Sequence, residues 1–532
     1  MLAWPAIWRV PLNVDEELTL FVAHHSAGRI FHIVSSERGG GPLHFWLEHV
    51  VLGWSNSLPG LRGPSVAFFV LALPAVALVA LELAGAEIAA AVVLLTAVSP
   101  IPSMYVTFGR PHTMLFAWLM WATVPALRAA RTGSRRWWAL AGAALGASVF
   151  VHPTAPLYAL TTFGCALLYA RRPWRRLASE AWPGVVTLFV TFVPYYARTL
   201  HVLGDRYGVG RGSKHGGART FSGNPVWVDA IHFVAPGRHE LNAFTALALV
   251  GLVVLLLRRS RVALICAATV LAPVAFFSWV PATGRAALFF DRYMIPVTPA
   301  FLILVCTGCA TVAGRAGRAR LLVFVVLVAG LYSAELHVDL ARRGGAAGLQ
   351  LAGVTRAVQR VSGGSVLFGT TGSEGVGNPA GQFSYGRPAN LLDRYLSLRL
   401  PGLRLVNDDD CLLARPFLRS APAHGLWLFY AARPDEEASA AAALVSGDGL
   451  LVARPEPAYF LVRTTRALPP RRLFEVGIRL RKRWQHAVRA NRRATELIEA
   501  DEAVLSHPAR CVPQGPLGDP DISPDWPLEK GA

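Results

Sequence analysis

Ten apolar runs of about bilayer-spanning length constrain this chain more than any other feature of its sequence. A transmembrane helix needs about 20 apolar residues to cross the hydrocarbon core of a membrane. The chain has 532 residues, of which 53% are hydrophobic and 16% are charged, a composition typical of a polytopic α-helical membrane protein. The predicted spans are 64–83, 88–104, 111–128, 137–152, 154–170, 181–199, 241–257, 262–280, 294–314 and 320–338.

Four arginine clusters predict how these spans are oriented. The formal net charge of +19 comes mainly from arginines in short loops, and such loops are typically cytoplasmic. No basic face interleaved with aromatic residues is evident, so nucleic acid is not a predicted partner. The clusters are Arg128/Arg131/Arg135/Arg136, Arg171/Arg172/Arg175/Arg176, Arg258/Arg259/Arg261 and Arg315/Arg318/Arg320. All four can be cytoplasmic at once, which places the first 62 residues, the loops near 99–111, 152–154, 199–240 and 281–293, and the chain after 339 on the outer side.

Residues 1–62 form the first predicted region, an outer loop that carries three consecutive carboxylates. The loop contains EELTLFVAHHSAGRIFHIV and GPLHFWLEHVVLGW, whose apolar spacing predicts helices lying in the membrane interface. An outer loop needs a preceding span, but residues 1–13 are too short to cross a membrane. We therefore expect the first transmembrane helix to be truncated in this sequence.

The chain after residue 340 changes its periodicity. Short β-rich runs at 365–369, 403–406, 425–430, 450–454 and 458–464 alternate with helical stretches, which predicts an extracytoplasmic α/β domain. A basic helix is predicted near 473–505, either lying on anionic lipid or packed on this domain. The predicted regions are thus 1–62, a transmembrane helical core over 63–340, an α/β domain over 341–510 and a Pro-rich tail over 511–532.

The cysteines fit this topology. Four of the six fall in apolar spans, where thiols behave as small hydrophobic groups. Cys411 and Cys511 are the two in the outer region, and an oxidising compartment would permit a disulfide between them.

Ionisable residues gather at the outer ends of the predicted spans. Charges near membrane depth are costly unless they are paired or line a wet cavity, so these residues are functional candidates. Arginine suits a phosphate clamp, and a carboxylate suits deprotonation of a nucleophile. Glycosyl transfer from a lipid-linked sugar phosphate needs both. The candidates are Asp15, Glu16, Glu17, Arg110, His112, His152, Arg285, Asp291 and Arg292.

Several motifs in order carry a resemblance to a known superfamily. They are the pair Asp15–Glu16, then GGGPLHFWLEHVVLGW, LRGPSVAFF, SPIPSMYVTFGRPHTML, VFVHPTAPLY and DRYMIPVTPAFL. Over about residues 11–315 the chain resembles GT-C superfamily glycosyltransferases that use polyprenyl-phosphate sugars. This group includes protein O-mannosyltransferases, lipid A aminoarabinose transferases and actinobacterial cell-wall transferases. Phe108 and Gly109 stand where the family often has an acidic residue before its arginine.

The resemblance implies a role for each candidate residue. Asp15 would be the catalytic base and Glu16 would support acceptor binding. The phosphate of the donor would contact Arg110, His152, Arg292 and Arg285. Substrate-binding roles would fall to His112 and Tyr293. Apart from the resemblance, Lys214 lies in a glycine-rich basic loop that either orders around an anionic substrate or is a flexible linker. The acceptor would be a lipid, a protein or a polysaccharide. No organic cofactor is implied, and the carboxylates lack the spacing of a known metal motif, which leaves a divalent cation open.

Two other functions remain open from the sequence. A transporter or flippase of lipid-linked sugars would also have many spans, but it should show internal repeats and polar residues near the bilayer midplane. A membrane-anchored scaffold would bind through its α/β domain alone. The high content of alanine, arginine and glycine is associated with bacterial genomes, so the predicted location is the bacterial inner membrane with the active site outside.

Overall fold

A computed structural model describes the chain over residues 14–206, 238–282, 291–372 and 417–506, apart from short breaks, together with Ile7 and parts of 396–406. By their contacts the residues divide into two units. The first contains Thr19–Trp54 and Pro59–Leu340, and the second contains the chain from Ala341 together with residues 14–18 and 55–58. The two units are described separately.

The first unit is helical. The predicted helices of the first loop are present, with a π-helical segment between them at Ile33–Arg38, and helices coincide with all ten predicted spans. Five described helices or helical segments are long and apolar enough to cross a membrane, and four shorter apolar helices accompany them. The helices are α1 (Val14–Ala23), α2 (Ala27–His32), α3 (Pro42–Trp54), α4 (Leu58–Ala84), α5 (Ala86–Val98), α6 (Pro100–Val106), α7 (His112–Thr132), α8 (Arg135–Ala147), α9 (Ala155–Tyr169), α10 (Trp174–Arg206), α11 (Arg238–Leu257), α12 (Arg261–Ala282), α13 (Thr298–Val312) and α14 (Gly317–Gly344). One end of each of α1, α4 and α14 belongs to the second unit.

Glycines allow the closest helix contacts in this unit. A Cβ atom added at Gly142 on α8 would lie 2.0 Å from the carbonyl oxygen of Gly184 on α10. A Cβ atom added at Gly184 would in turn lie 2.6 Å from Trp138 O. Small residues are common at membrane helix interfaces because they let backbones approach closely. The pair α8–α10 is therefore packed backbone against backbone.

Gly142→Leu is expected to disrupt this packing. The new side chain would meet main-chain atoms that cannot rotate away, and overpacking of this kind costs about 1–3 kcal/mol or more. We expect a lower melting temperature and a poor yield of folded protein in detergent. Gly164→Ala is the control, because a Cβ atom at Gly164 on α9 would meet no described atom within 4 Å. Equal melting temperatures for the two variants would contradict this packing.

The second unit is α/β, with a mixed five-stranded sheet. Its strands are β1 (Ser365–Gly372), β2 (Arg404–Val406), β3 (His424–Tyr430), β4 (Leu450–Glu456) and β5 (Tyr459–Thr464), in the order β2-β1-β3-β5-β4. Strand β1 is parallel to β2 and β3, whereas β5 is antiparallel to β3 and β4. Every predicted β-rich run is a strand. The helices are α15 (Ala346–Val361), α16 (Pro434–Val445), α17 (Pro470–Ala487) and α18 (Arg492–Ser506).

Helix α17 packs its apolar face into the core of the second unit. Leu473, Phe474, Leu480 and Trp484 are buried there, and Phe474 meets the ring of Phe368 on β1 edge-on at 5.5 Å. Of the two predicted placements of this basic helix, on anionic lipid or on the α/β domain, the structure shows the second. The single helix predicted over 473–505 is wrong, because α17 and α18 are separate helices.

Candidate active site

A short loop between α6 and α7 presents Arg110. The hydroxyl of Ser65 on α4 donates to Phe108 O at 2.5 Å and to Arg110 O at 3.3 Å. Gly109 lies so close to α4 that an added Cβ would stand 2.7 Å from Leu61 O. The loop is thus held against α4 on both sides of Gly109, which fixes where the Arg110 side chain starts.

The Arg110 side chain is half-buried and reaches toward α1. Its Nη1 donates to Thr19 Oγ1 at 3.5 Å, a long hydrogen bond. Thr19 itself is fully buried. On α1, Thr19 follows Asp15 by one helical turn, so the two residues occupy the same side of that helix.

Three aromatic side chains from different parts of the sequence meet beside Arg110. His112 begins α7, His152 lies in the turn before α9, and Tyr293 belongs to the 3-10 segment Asp291–Val297. The ring centroids of His112 and His152 are 5.2 Å apart, and Tyr293 lies 5.5 Å from His152 and 6.2 Å from His112. The structure therefore brings together three predicted site residues that are separated by up to 181 positions in the sequence (293 minus 112).

Neighbouring side chains hold this cluster in place. The hydroxyl of Tyr158 donates a hydrogen bond to Tyr293 O, and the Phe277 ring stacks on the Tyr293 ring at 5.5 Å. His152 Nδ1 accepts a hydrogen bond from the Thr154 backbone N–H at 3.2 Å. A neutral histidine that accepts at Nδ1 carries its proton on Nε2, so His152 presents a donor at that nitrogen.

The electrostatics of the site come from two arginines and neutral histidines. Burial is the main cause that lowers the pKa of His152 to about 3, and the charges of Arg110 and Arg292 lower it further. Burial followed by the charge of Arg110 likewise lowers the pKa of His44 on α3 to about 3. A cation nearby disfavours a second positive charge, so both rings are neutral at physiological pH. The site thus holds the fixed positive charges of Arg110 and Arg292.

The other predicted site residues are placed as follows. Glu16 is fully buried on α1. Asp15 is described by its backbone position on α1 alone. Arg292 is half-buried beside Tyr293 in the 3-10 segment. Arg285, Lys214, Cys411 and Cys511 lie outside the described residues, and the predicted roles and disulfide that rest on them stay predictions. Among the described residues, no group of three or more His, Cys, Asp or Glu side chains is arranged to hold a metal ion.

Four residues around Arg110 were not predicted as site residues from the sequence. They are Thr19, His44, Glu48 and Ser65. A signal was available for two of them, because His44 and Glu48 are four residues apart and therefore share one helix face. Thr19 and Ser65 carry no local signal.

Comparison with known proteins supports this architecture. Residues 40–197 match the family model described as dolichyl-phosphate-mannose-protein mannosyltransferase. The structure is similar to ArnT from Cupriavidus metallidurans, solved in the apo state and bound to undecaprenyl phosphate, each with a TM-score of 0.50 and 15% identity. These matches cover 87% of this chain and 95% and 96% of the ArnT chains. This chain has the GT-C glycosyltransferase fold.

One further structural match is weaker. An oligosaccharyltransferase from Archaeoglobus fulgidus aligns with a TM-score of 0.40 and 12% identity, over 84% of this chain and 68% of that one. No curated protein sequence matches the chain. The segment matched by the mannosyltransferase family model includes α3, the Arg110 loop, His112 and His152. The family match thus covers some of the residues of the candidate site, whereas Thr19, Arg292 and Tyr293 lie outside it.

Proposed function

We propose that this GT-C chain transfers a sugar from a polyprenyl-phosphate donor to an acceptor on the outer face of the membrane. The observation that carries the proposal is the convergence of Arg110, Arg292, His112, His152 and Tyr293 in one partly buried cluster. A buried site with fixed positive charge and neutral hydrogen-bonding rings favours an anion, and arginine binds phosphate through a planar fork of donors. ArnT, the similar structure, was solved with undecaprenyl phosphate bound.

In the proposed reaction polyprenyl phosphate is the leaving group. The cluster stabilises the charge that this leaving group develops. As the bond between the anomeric carbon and the phosphate oxygen breaks, negative charge grows on that oxygen. Arg110 and Arg292 stabilise this charge, and His152 Nε2–H supplies a further donor. His112 Nε2 is buried and has no hydrogen-bond partner among the described residues, so it too can serve a ligand. Preorganised donors aimed at developing charge are often the largest catalytic effect.

The base in this proposal is Asp15, with Glu16 supporting the acceptor. The carboxylate removes the proton of the acceptor nucleophile as the nucleophile attacks the anomeric carbon opposite the phosphate, which inverts the anomeric centre. The resemblance of the pair Asp15–Glu16 to the carboxylates of GT-C glycosyltransferases supports this assignment. The acceptor and the sugar are left unspecified.

A small apolar cavity lies near the cluster. It has a volume of about 60 Å³ and is lined largely by aliphatic side chains of five helices together with Tyr158 and Pro296. Tyr158 also donates to Tyr293 O, so the cavity adjoins the polar cluster through one residue. The cavity is too small for a polyprenyl chain, and the proposal of a lipid-linked donor rests on the polar cluster and not on this cavity.

Asp15→Asn tests the proposed base. Amide replacement keeps the size of the side chain but cannot accept the proton, and general-base catalysis contributes about 10²–10⁴-fold. We expect sugar transfer in membranes to fall by about 10²-fold or more at matched expression. Glu17→Gln, two residues along the same helix, is the control and should retain activity. Equal activity of Asp15→Asn and the wild type would exclude Asp15 as the base.

A further inference from the structure

Two ionisable side chains on α3 are buried beside the Arg110 loop. His44 is 1% exposed and Glu48 is 0% exposed. They are one helical turn apart, and Glu48 Oε1 lies 3.9 Å from His44 Nδ1. Burial of a histidine and a carboxylate in a helix of a membrane protein is costly, so such a pair needs a structural or functional reason. Neither residue has a role in the transfer step proposed above.

His44 contacts the backbone of the Arg110 loop. Its Nε2 lies 3.4 Å from Gly109 O, at the long end of hydrogen-bond distances. A carbonyl oxygen can only accept, so His44 must donate its Nε2–H there. In the neutral ring this assigns the proton to Nε2 and turns the unprotonated Nδ1 toward Glu48. The lowered pKa of His44, to about 3, agrees with a neutral ring.

Three consecutive backbone carbonyl groups of the Arg110 loop accept hydrogen bonds from side chains on α3 and α4. Ser65 on α4 donates to Phe108 O and Arg110 O, and His44 on α3 donates to Gly109 O between them. Gly109 has no room for a side chain against Leu61. Side chains on two helices therefore hold the loop. Ser65 is the donor on α4, and His44 is the donor on α3.

We propose that His44 is a positioning residue for Arg110, acting through its hydrogen bond to Gly109 O. His44 touches neither the donor nor the acceptor in this account. It sets the position from which Arg110 reaches the donor phosphate, so the inference rests on the proposed transfer function. Misplacement of a reacting group by about 1 Å can cost about 10²-fold in rate.

The first test compares three single variants in the full chain. His44→Leu removes the donor to Gly109 O and is expected to lower kcat/KM for transfer by about tenfold to 10²-fold. His44→Gln retains an N–H donor and is expected to recover most of this loss. His49→Leu is the matched control, because His49 lies on the same helix and its Nδ1 is 2.8 Å from a different backbone oxygen, that of Ala23.

A double-mutant cycle separates positioning from general packing. If His44 acts through Arg110, His44→Leu should cost less than about threefold in an Arg110→Ala background, because coupled residues are not additive. Glu48→Gln keeps the size of the side chain, and Glu48 Oε1 lies 3.9 Å from His44 Nδ1, beyond hydrogen-bond distance, so this variant is expected to stay within about threefold of the wild type. A full His44→Leu effect in the Arg110→Ala background would overturn the proposal, as would a Glu48→Gln loss larger than that of His44→Leu.

A readout without turnover distinguishes failure of this inference from failure of the proposed function. Stabilisation of the purified chain by added undecaprenyl phosphate is measured as a shift in melting temperature. The expected result is a shift for the wild type and His49→Leu that is reduced in His44→Leu and Arg110→Ala. If the wild type turns over and binds, and His44→Leu does both equally well, the positioning role alone is overturned. A wild type that neither binds nor turns over any donor would contradict the transfer function, and the positioning role with it.

Discussion

Arg110→Ala is expected to lower sugar transfer by about 10²–10³-fold, the usual cost of deleting one preorganised donor that meets transition-state charge. The guanidinium is half-buried, and its backbone is held by Ser65 on one helix and approached by His44 on another. Because the backbone that carries the side chain is held before the proposed donor binds, little reorganisation of the loop is needed when the phosphate leaves. Alanine removes both the charge and the fork of donors.

Arg110→Lys should recover only part of the activity. Lysine keeps the charge but presents a point charge on a flexible stem instead of a planar pair of donors. Arg128→Ala serves as the control, since Arg128 lies near the opposite end of α7 and stacks on Trp137 at 4.6 Å. The measurement is kcat/KM with labelled donor at matched levels of inserted protein. Arg110→Ala with wild-type turnover would show that the phosphate does not contact this residue.

Asp501→Ala is expected to destabilise the second unit by about 3–5 kcal/mol. Arg481 on α17 donates to Asp501 on α18, and both side chains are 0% exposed. Removing the carboxylate leaves a buried guanidinium without its compensating charge, which is the costly way to break a buried ion pair. The loss should appear as earlier protease cleavage within residues 341–506 when the full chain is heated.

The neighbouring residues supply a matched control for this prediction. Lys482 and Glu502 each follow a member of the buried pair and form their own ion pair at 2.8 Å. Their side chains are 57% and 48% exposed, and exposed pairs of this kind are worth about 0–1 kcal/mol. Glu502→Ala should therefore leave the cleavage temperature nearly unchanged. Similar shifts for Asp501→Ala and Glu502→Ala would contradict a special role for the buried pair.

The fold was predictable from local pattern to a large extent. Apolar runs of bilayer length and short β-branched and aromatic runs are properties of a few consecutive residues. Helices occur at the ten predicted spans and strands at the five predicted β-rich runs. The break between α17 and α18 was missed because apolar periodicity continues through it. The available signal was Asn491, whose Oδ1 accepts from the backbone N–H of Ala494 at 2.9 Å as a helix N-cap.

The candidate site was predictable to the extent that its residues follow ordered motifs. Arg110, His112, His152 and Tyr293 were expected together, and the described cluster brings the three rings into contact. The residues that hold the cluster were not expected, because their contacts join distant positions. His44 and Gly109 are 65 positions apart, and Tyr158 and Tyr293 are 135 apart. Charge and sidedness indicate which side chains are candidates for binding a ligand, but not which helices support them.

The most direct test of the account is a transfer assay with the wild-type chain in membranes and a panel of labelled polyprenyl-phosphate sugars. If the protein is the proposed glycosyltransferase, one donor is consumed, polyprenyl phosphate is released, and the sugar reaches its acceptor with an inverted anomeric configuration. Retention of configuration would contradict a single attack assisted by a carboxylate base. No consumption of any donor by correctly folded protein would contradict the transferase function itself.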